Sequence, residues 1–180
     1  MSCLDALWTA TGTLNRFAAQ PVPRRPRDLS VNLSDQLVIF VLERQRFALR
    51  LPVVQRIVRI AAVDTLPKAP PIVLGVVNVG GRIVPVVNLR QRFRLPESDL
   101  RLTDHLLLAR TTTRELALLV DGVIGVVESP ASRITAADDI VPGLEYVHGV
   151  AKLPDGLVFI HDLETLLSLE ENRRLDEALA

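Results

Sequence analysis

Three histidines, one cysteine and a few serines are the side chains of this chain best able to carry catalytic or metal chemistry. Asp104 precedes His105 and Asp162 follows His161, pairings that invite a general-base or metal-ligand reading. His105, His148 and His161 are nevertheless scattered through loops and strand ends, and no His-x-x-x-His spacing sets two of them on one helical face. A nucleophile needs a base and an orienting group within reach. Ser129, Ser132 and Ser168 carry no elbow motif, and Cys3 sits in a leading segment of helical pattern. One cysteine makes neither an internal disulfide nor a multi-thiolate zinc site. Gly80-Gly81 is not a phosphate loop, because no Lys-Ser/Thr follows and strand patterns flank it on both sides. The residue chemistry points away from an enzyme and implies no cofactor or metal. It leaves a protein that works by binding.

The elements that must present a binding surface are mostly strands. At 180 residues, with 48% hydrophobic and 23% charged residues, the chain has the material for one ordinary core. Lys+Arg and Asp+Glu are each 21, so the basic excess that nucleic acid requires is missing. No apolar run approaches the roughly 18 residues of a membrane-spanning helix, and no secretory signal is legible, so a cytoplasmic location is expected. Leu4, Leu7, Trp8, Thr11, Leu14 and Phe17 recur at helical spacing, and Pro21–Arg27 reads as a stiff basic linker. Residues 1–30 are thus expected to be a helix and a Pro/Arg-rich linker.

From Leu37 the pattern is β. Strands are expected at Leu37–Leu42, Arg46–Leu51, Ile57–Ile60, Gly75–Val79, Arg82–Leu89, His105–Arg110, Glu115–Val120, Gly125–Val127, Val147–Lys152 and Leu157–His161. Turns fall at Glu43–Gln45 and Asp155-Gly156, and Thr65–Pro71 is an irregular, proline-rich connection. Short strands at this spacing fit barrels better than alternating β and α units. Arg90, Arg92, Arg94 and Arg101 read as a solvated connection. Asp162 is expected to cap a helix over Leu163–Leu167, and Ser168 with Glu171 forms a capping box for a last helix over 170–180, its apolar edge Leu175 and Leu179.

The chain also repeats itself. An offset of 69 positions lays Leu37-Val-Ile-Phe on Leu106-Leu-Leu-Ala and Phe47-Ala-Leu-Arg-Leu on Leu116-Ala-Leu-Leu-Val. An offset of 74 lays Gly75-Val76 on Gly149-Val150, Ile83-Val84 on Leu157-Val158, and Leu89 on Leu163. Two small β units follow from this. Each is marginal alone because its surface is large for its volume, and a shared apolar seam would solve that problem. Asp121-Gly122 lacks the hydroxyl residue of an aspartic-protease turn and has no counterpart in the other copy.

The stretch Leu66–Leu89, with Gly75-Val-Val-Asn78 and Arg82-Ile-Val-Pro85, resembles the signature of the CheW-like domain. So do Phe47-Ala-Leu-Arg-Leu-Pro with Ile57-Val-Arg-Ile60, Leu119-Val120-Asp121-Gly122-Val123, and Tyr146-Val-His-Gly149-Val with Leu157–Leu167. The resemblance implies a mainly β fold: two SH3-like five-stranded β-barrels packed as one domain over 34–169, with short terminal helices. It implies a non-enzymatic adaptor coupling the cytoplasmic tips of methyl-accepting chemoreceptors to the regulatory domain of a CheA-type histidine kinase. Such an adaptor is cytoplasmic and sits with membrane-bound receptor arrays.

Partner contacts are expected at Ile57, Arg59, Gly75, Val76, Asn78, Gly80, Arg82, Val84, Gly122 and Gly149. For the glycines, close approach of a neighbouring strand is the competing structural role. For Ile57, Val76 and Val84 it is core packing. The sequence departs from the family pattern in two places. Asn78-Val79-Gly80-Gly81 stands where Asn-Leu-Arg-Gly is common, and Arg59 stands where an acidic residue is common. Arg82 is a candidate replacement cation. These departures raise the alternative of a diverged module that recruits or localises a chemosensory array through residues 1–30.

Overall fold

In the computed structural model the structure describes residues 36–129, 133–136 and 146–180, all within the unit Val31–Ala180. The expected N-terminal helix and linker lie outside the described residues. Every strand expected from the sequence is present. In chain order they are β1 (Gln36–Leu42), β2 (Gln45–Arg50), β3 (Val54–Arg59), β4 (Val73–Val79), β5 (Arg82–Asn88), β6 (His105–Arg110), β7 (Glu115–Val120), β8 (Gly122–Glu128), β9 (Ile134–Ala136), β10 (Val147–Leu153) and β11 (Gly156–His161). The short β9 was not expected from the sequence. Among the described residues there are also two α-helices, α1 (Leu89–Arg92) and α2 (Leu169–Leu179), and a short 3-10 helix, Leu51–Val53.

The strands form two sheets, ordered β8-β1-β2-β11-β10-β9 and β3-β6-β7-β5-β4. The repeat maps one onto the other. β1, β2 and β3 correspond to β6, β7 and β8, and β4 and β5 correspond to β10 and β11. β3 therefore pairs in the second sheet and β8 in the first, so the two units exchange a strand. Even the register repeats. Ala48 lies opposite Ile160 in the parallel β2–β11 pair, and their counterparts Ala117 and Val86 lie opposite each other in the parallel β7–β5 pair.

The apolar runs are continuous because these strands bury both faces. In β1, Leu37 and Ile39 enter a cluster with Ala48, Ala151, Val158 and Ile160 inside the first sheet. The alternate residues Val38, Phe40 and Leu42 face a larger central cluster with Leu107, Ala109, Leu116, Leu118 and Val120 from β6 and β7. Leu106, Leu108, Ala117 and Leu119 turn the other way, toward Val77, Val84 and Val86. Period-two alternation thus divides each inner strand between its own barrel and the seam shared by both.

The C-terminal segment departs from expectation in part. Asp162 does not start a helix. Its carboxylate accepts from the Glu164 amide within a series of turns over 162–168. Ser168 and Glu171 do form the expected capping box of α2, whose Leu175 is fully buried while Leu179 remains 41% exposed. The solvated reading of the arginine stretch also needs correction. Arg90 lies buried and Arg92 nearly so, each bound to carboxylates from distant parts of the chain. Arg94 and Arg101 are exposed.

Candidate functional site

The residues singled out in the sequence fall in four places. Ile57 and Arg59 lie on β3, which among the described residues pairs only with β6 and so is a sheet edge. Both are exposed, Ile57 by 41%. Asn78, Gly80 and Arg82 surround the β4–β5 turn. Gly80 and Gly81 both have positive φ (60° and 86°), the geometry a two-residue hairpin turn demands. The Asn78 side chain accepts from the Gly81 amide at 2.8 Å and holds the turn closed. Arg82 is not a free cation, because its guanidinium meets Glu115 at 2.8 Å. Gly122 opens β8, the edge of the other sheet, with open space above it.

Gly75, Val76, Val84 and Gly149 behave differently. Val84 is 1% exposed inside the second barrel, so any effect it has on a partner passes through packing. Gly75 and Gly149 are buried at register shifts in β4 and β10. A Cβ on Gly75 would lie 2.1 Å from the Asp64 carbonyl oxygen, and one on Gly149 would lie 2.8 Å from that of Thr135. Asp64 bridges to Val76 just as Thr135 pairs with Val150, so the two glycines admit equivalent backbone segments across the two barrels. Val76 is half-buried beside this contact.

The structure adds exposed apolar residues that the sequence reading left out. Ile124 and Val126 on β8 are 56% and 52% exposed. Val126 is the repeat counterpart of Ile57, and the repeat offset was the signal that could have found it. Ile83 and Leu157, another pair matched by the repeat, are 57% and 61% exposed. Among the described residues β3 and β8 thus each lack a second strand partner, and both carry outward apolar side chains. Arg59 ends one edge and Glu128 ends the other. Such edges offer backbone donors and acceptors together with apolar area, which is what a docking partner uses.

Polar chemistry concentrates instead around two arginines. Arg90 Nη2 donates to both Asp121 oxygens (2.7 and 2.6 Å), while Nη1 donates to Glu43 Oε1 and to the Pro96 carbonyl at 3.1 Å each. Burial opposes the charge on Arg90, but hydrogen bonds and attraction from Asp121 and then Glu43 outweigh it and hold the guanidinium above its ordinary value. Arg92 donates to Tyr146 Oη at 3.0 Å and to Glu171 at 2.5 Å, tying α1 to α2.

His161 is a packed side chain in this setting. It is 6% exposed and stacks on Phe93 with ring centroids 4.2 Å apart. Its Nδ1 donates to the Tyr146 carbonyl at 2.8 Å, which fixes the tautomer. Burial pushes its pKa from 6.5 down to about 4, although the bond to Tyr146 favours the proton. The folded state thus refuses a proton that the unfolded chain accepts. The associated stability is fully present above about pH 6.5 and is lost as pH falls toward 4. About 2–3 kcal/mol should disappear between pH 7 and pH 4.5. Urea unfolding at both pH values, compared with His161→Phe, isolates this share. An equal pH dependence in the variant would overturn it.

Among the described residues, no group of three or more His, Cys, Asp or Glu side chains is placed to hold a metal ion. Among them, too, no helix is long and apolar enough to cross a membrane.

A barrel pair with exchanged edge strands defines a class. The model of the CheW-like domain matches residues 36–171, and the chain belongs to that family. Among its relatives is the chemotaxis protein CheW of Treponema pallidum (strain Nichols), 27% identical over 146 residues, covering 78% of this chain and 86% of the relative. The chemotaxis protein CheW of Rhizobium meliloti (strain 1021) is 25% identical over 138 residues, covering 76% and 89%. A crystal structure of the scaffolding protein TtCheW from Thermoanaerobacter tengcongensis shares the fold. It superposes with a TM-score of 0.70 at 22% identity, over 77% of this chain and 95% of that one.

Proposed function

We propose that this protein is a non-enzymatic adaptor of chemotaxis-type signalling. It couples the cytoplasmic tips of methyl-accepting chemoreceptors to the regulatory domain of a CheA-type histidine kinase, in the cytoplasm beside membrane-bound arrays. The observation that carries the reading is the pair of unpaired edges on the CheW-like fold, β3 with Ile57 and β8 with Ile124 and Val126, all outward and apolar. Relatives named for chemotaxis and a structural neighbour named as a scaffold support it. An adaptor with two such edges can hold two partners in fixed geometry and bias the kinase between states through differential contacts.

Of the expected contacts, Ile57 and Arg59 lie on the β3 edge and Gly122 on the β8 edge, Asn78, Gly80 and Arg82 form a separate patch at the β4–β5 turn, and Gly75, Val76, Val84 and Gly149 support the barrels from within. Pull-down of a receptor tip and of a kinase regulatory domain tests the reading. Ile57→Asp and Val126→Asp should each weaken capture of at least one partner by roughly thirtyfold or more, as central apolar anchors do, with melting temperature unchanged. Full capture by both variants would overturn it.

A second reading draws on Gly80 and on the pairing of Arg82 with Glu115, which leave the β4–β5 turn without a free cation. In that reading residues 1–30 recruit or localise an array and receptor docking is lost. Deleting 1–30 separates the two: lost recruitment with intact kinase capture favours the second.

A further inference from the structure

Away from both edges, a cleft of about 810 Å3 opens between β2, β11 and the segment following α1, and it shares no lining residue with β3 or β8. Its apolar wall is a stack of rings. Phe47 lies 4.8 Å from Phe93 and 6.5 Å from Phe159, centroid to centroid, and the two outer rings are only half-buried. Its polar side is Arg92 over the Tyr146 ring at 4.6 Å, with Arg94 exposed beside it.

Arg94 takes a positive φ (53°) as the left-handed residue that closes α1, its amide donating to the Gln91 carbonyl and that of Leu95 to the Arg90 carbonyl, and it lines the cleft from this turn. Two features of this cleft lack a structural reason. The Arg94 guanidinium has no hydrogen-bond or ion-pair partner among the described residues, whereas Arg92 is already neutralised by Glu171. Arg92 Nε and His161 Nε2, in the wall, are buried without partners. A volume in the range of small-molecule sites, half-buried aromatic rings in its wall and one uncommitted cation together define a ligand chemistry.

The geometry points to a binding site for a small planar aromatic monoanion, such as an aromatic carboxylate. Its ring lies against Phe93 and Phe159 and its acid group meets Arg94. Ring stacking supplies apolar contact, and the guanidinium supplies a charge-assisted hydrogen bond of the stronger kind. One free positive charge selects a single negative one. The site gives the protein an input that does not pass through either docking edge.

The full-length chain can be titrated with 8-anilinonaphthalene-1-sulfonate, an aromatic monoanion whose fluorescence rises in such sites, and the bound probe challenged with indole-3-acetate. Saturable binding of one probe per chain, displaced by indole-3-acetate, is expected. Arg94→Gly removes the cation and relieves the positive φ, so it should weaken binding about tenfold without lowering the melting temperature. Phe93→Leu keeps apolar volume and removes the ring face, and should also weaken binding. Ile57→Asp should leave it unchanged. Non-saturable binding, affinity untouched by Arg94→Gly and Phe93→Leu, or loss of binding in Ile57→Asp would overturn the proposal.

Discussion

Replacing Arg90 by alanine should cost about 3–5 kcal/mol of stability, the range expected when one partner of a buried ion pair is removed. The side chain is 8% exposed and joins three separate stretches of chain. It reaches Asp121 at the β7–β8 junction, Glu43 in the β1–β2 turn, and the carbonyl of Pro96 beyond α1. Asp121 is itself committed, since one of its oxygens accepts from the Glu43 amide at 2.5 Å and its own amide donates to the Val41 carbonyl. Loss of Arg90 takes the donor from the Pro96 carbonyl and from the Asp121 carboxylate, whose side chain is 29% exposed, and leaves a gap where the buried guanidinium packed. The clamp also closes the crossing by which β8 leaves the second sheet for the first. Urea unfolding should show the loss as a lower midpoint, and thermal melting as a drop of roughly 6–20 °C. A cycle with Asp121→Ala should give a coupling energy above about 1 kcal/mol. Additive single losses would show that Arg90 acts through packing alone.

Gly75→Ala should cost about 3 kcal/mol, and Gly75, Gly149 and Gly122, three of the four glycines taken from the sequence, should rank in that order. At Gly75 the added carbon meets a backbone oxygen at 2.1 Å with φ at 155°, so either the Asp64 segment moves or β4 does. Overpacking against backbone costs about 1–3 kcal/mol, and the Asp64–Val76 pair of hydrogen bonds is weakened besides. Gly149→Ala meets the Thr135 oxygen at 2.8 Å and should cost less. Gly122→Ala meets nothing within 4 Å and should stay within about 0.5 kcal/mol of the parent. Any partner affinity lost in Gly75 variants therefore has to be separated from unfolding, whereas Gly122→Trp tests the β8 edge directly. Equal stability of all three alanine variants would remove the structural account of Gly75 and Gly149.

Much of the fold was legible because its rules are local. Strand after strand announced itself by apolar runs ended at Gly, Pro and Asp, and the offsets of 69 and 74 paired the strands of one barrel with those of the other. The β10–β11 turn was legible in Asp155-Gly156 and the start of α2 in Ser168 and Glu171, since each acts over three residues or fewer. β9 was missed because three residues carry too little periodicity to register. The helix expected after Asp162 failed because Leu163, Leu166 and Leu167 gain more by entering the central cluster from turns than a single helical turn would return.

The site was less legible. Ile57 and Val126 look like core residues in sequence, and nothing within β3 or β8 says that each lacks a neighbour on one side. Arg90 sits in a run of arginines that reads as solvated, and its burial depends on Asp121, 31 positions away, and Glu43, 47 away.

Pattern and period in the chain by themselves determined a doubled β architecture and its turns, since alternation and turn chemistry are properties of neighbouring residues and the repeat is read by laying the chain on itself, while the family came from the resemblance of its motifs. Tertiary structure alone decided which strands are edges, which glycines lie against backbone, which arginine is clamped and where the aromatic cleft opens. Each of those depends on how separate strands and loops pair and pack, the exchange of β3 and β8 among them, which the pattern within one strand does not show.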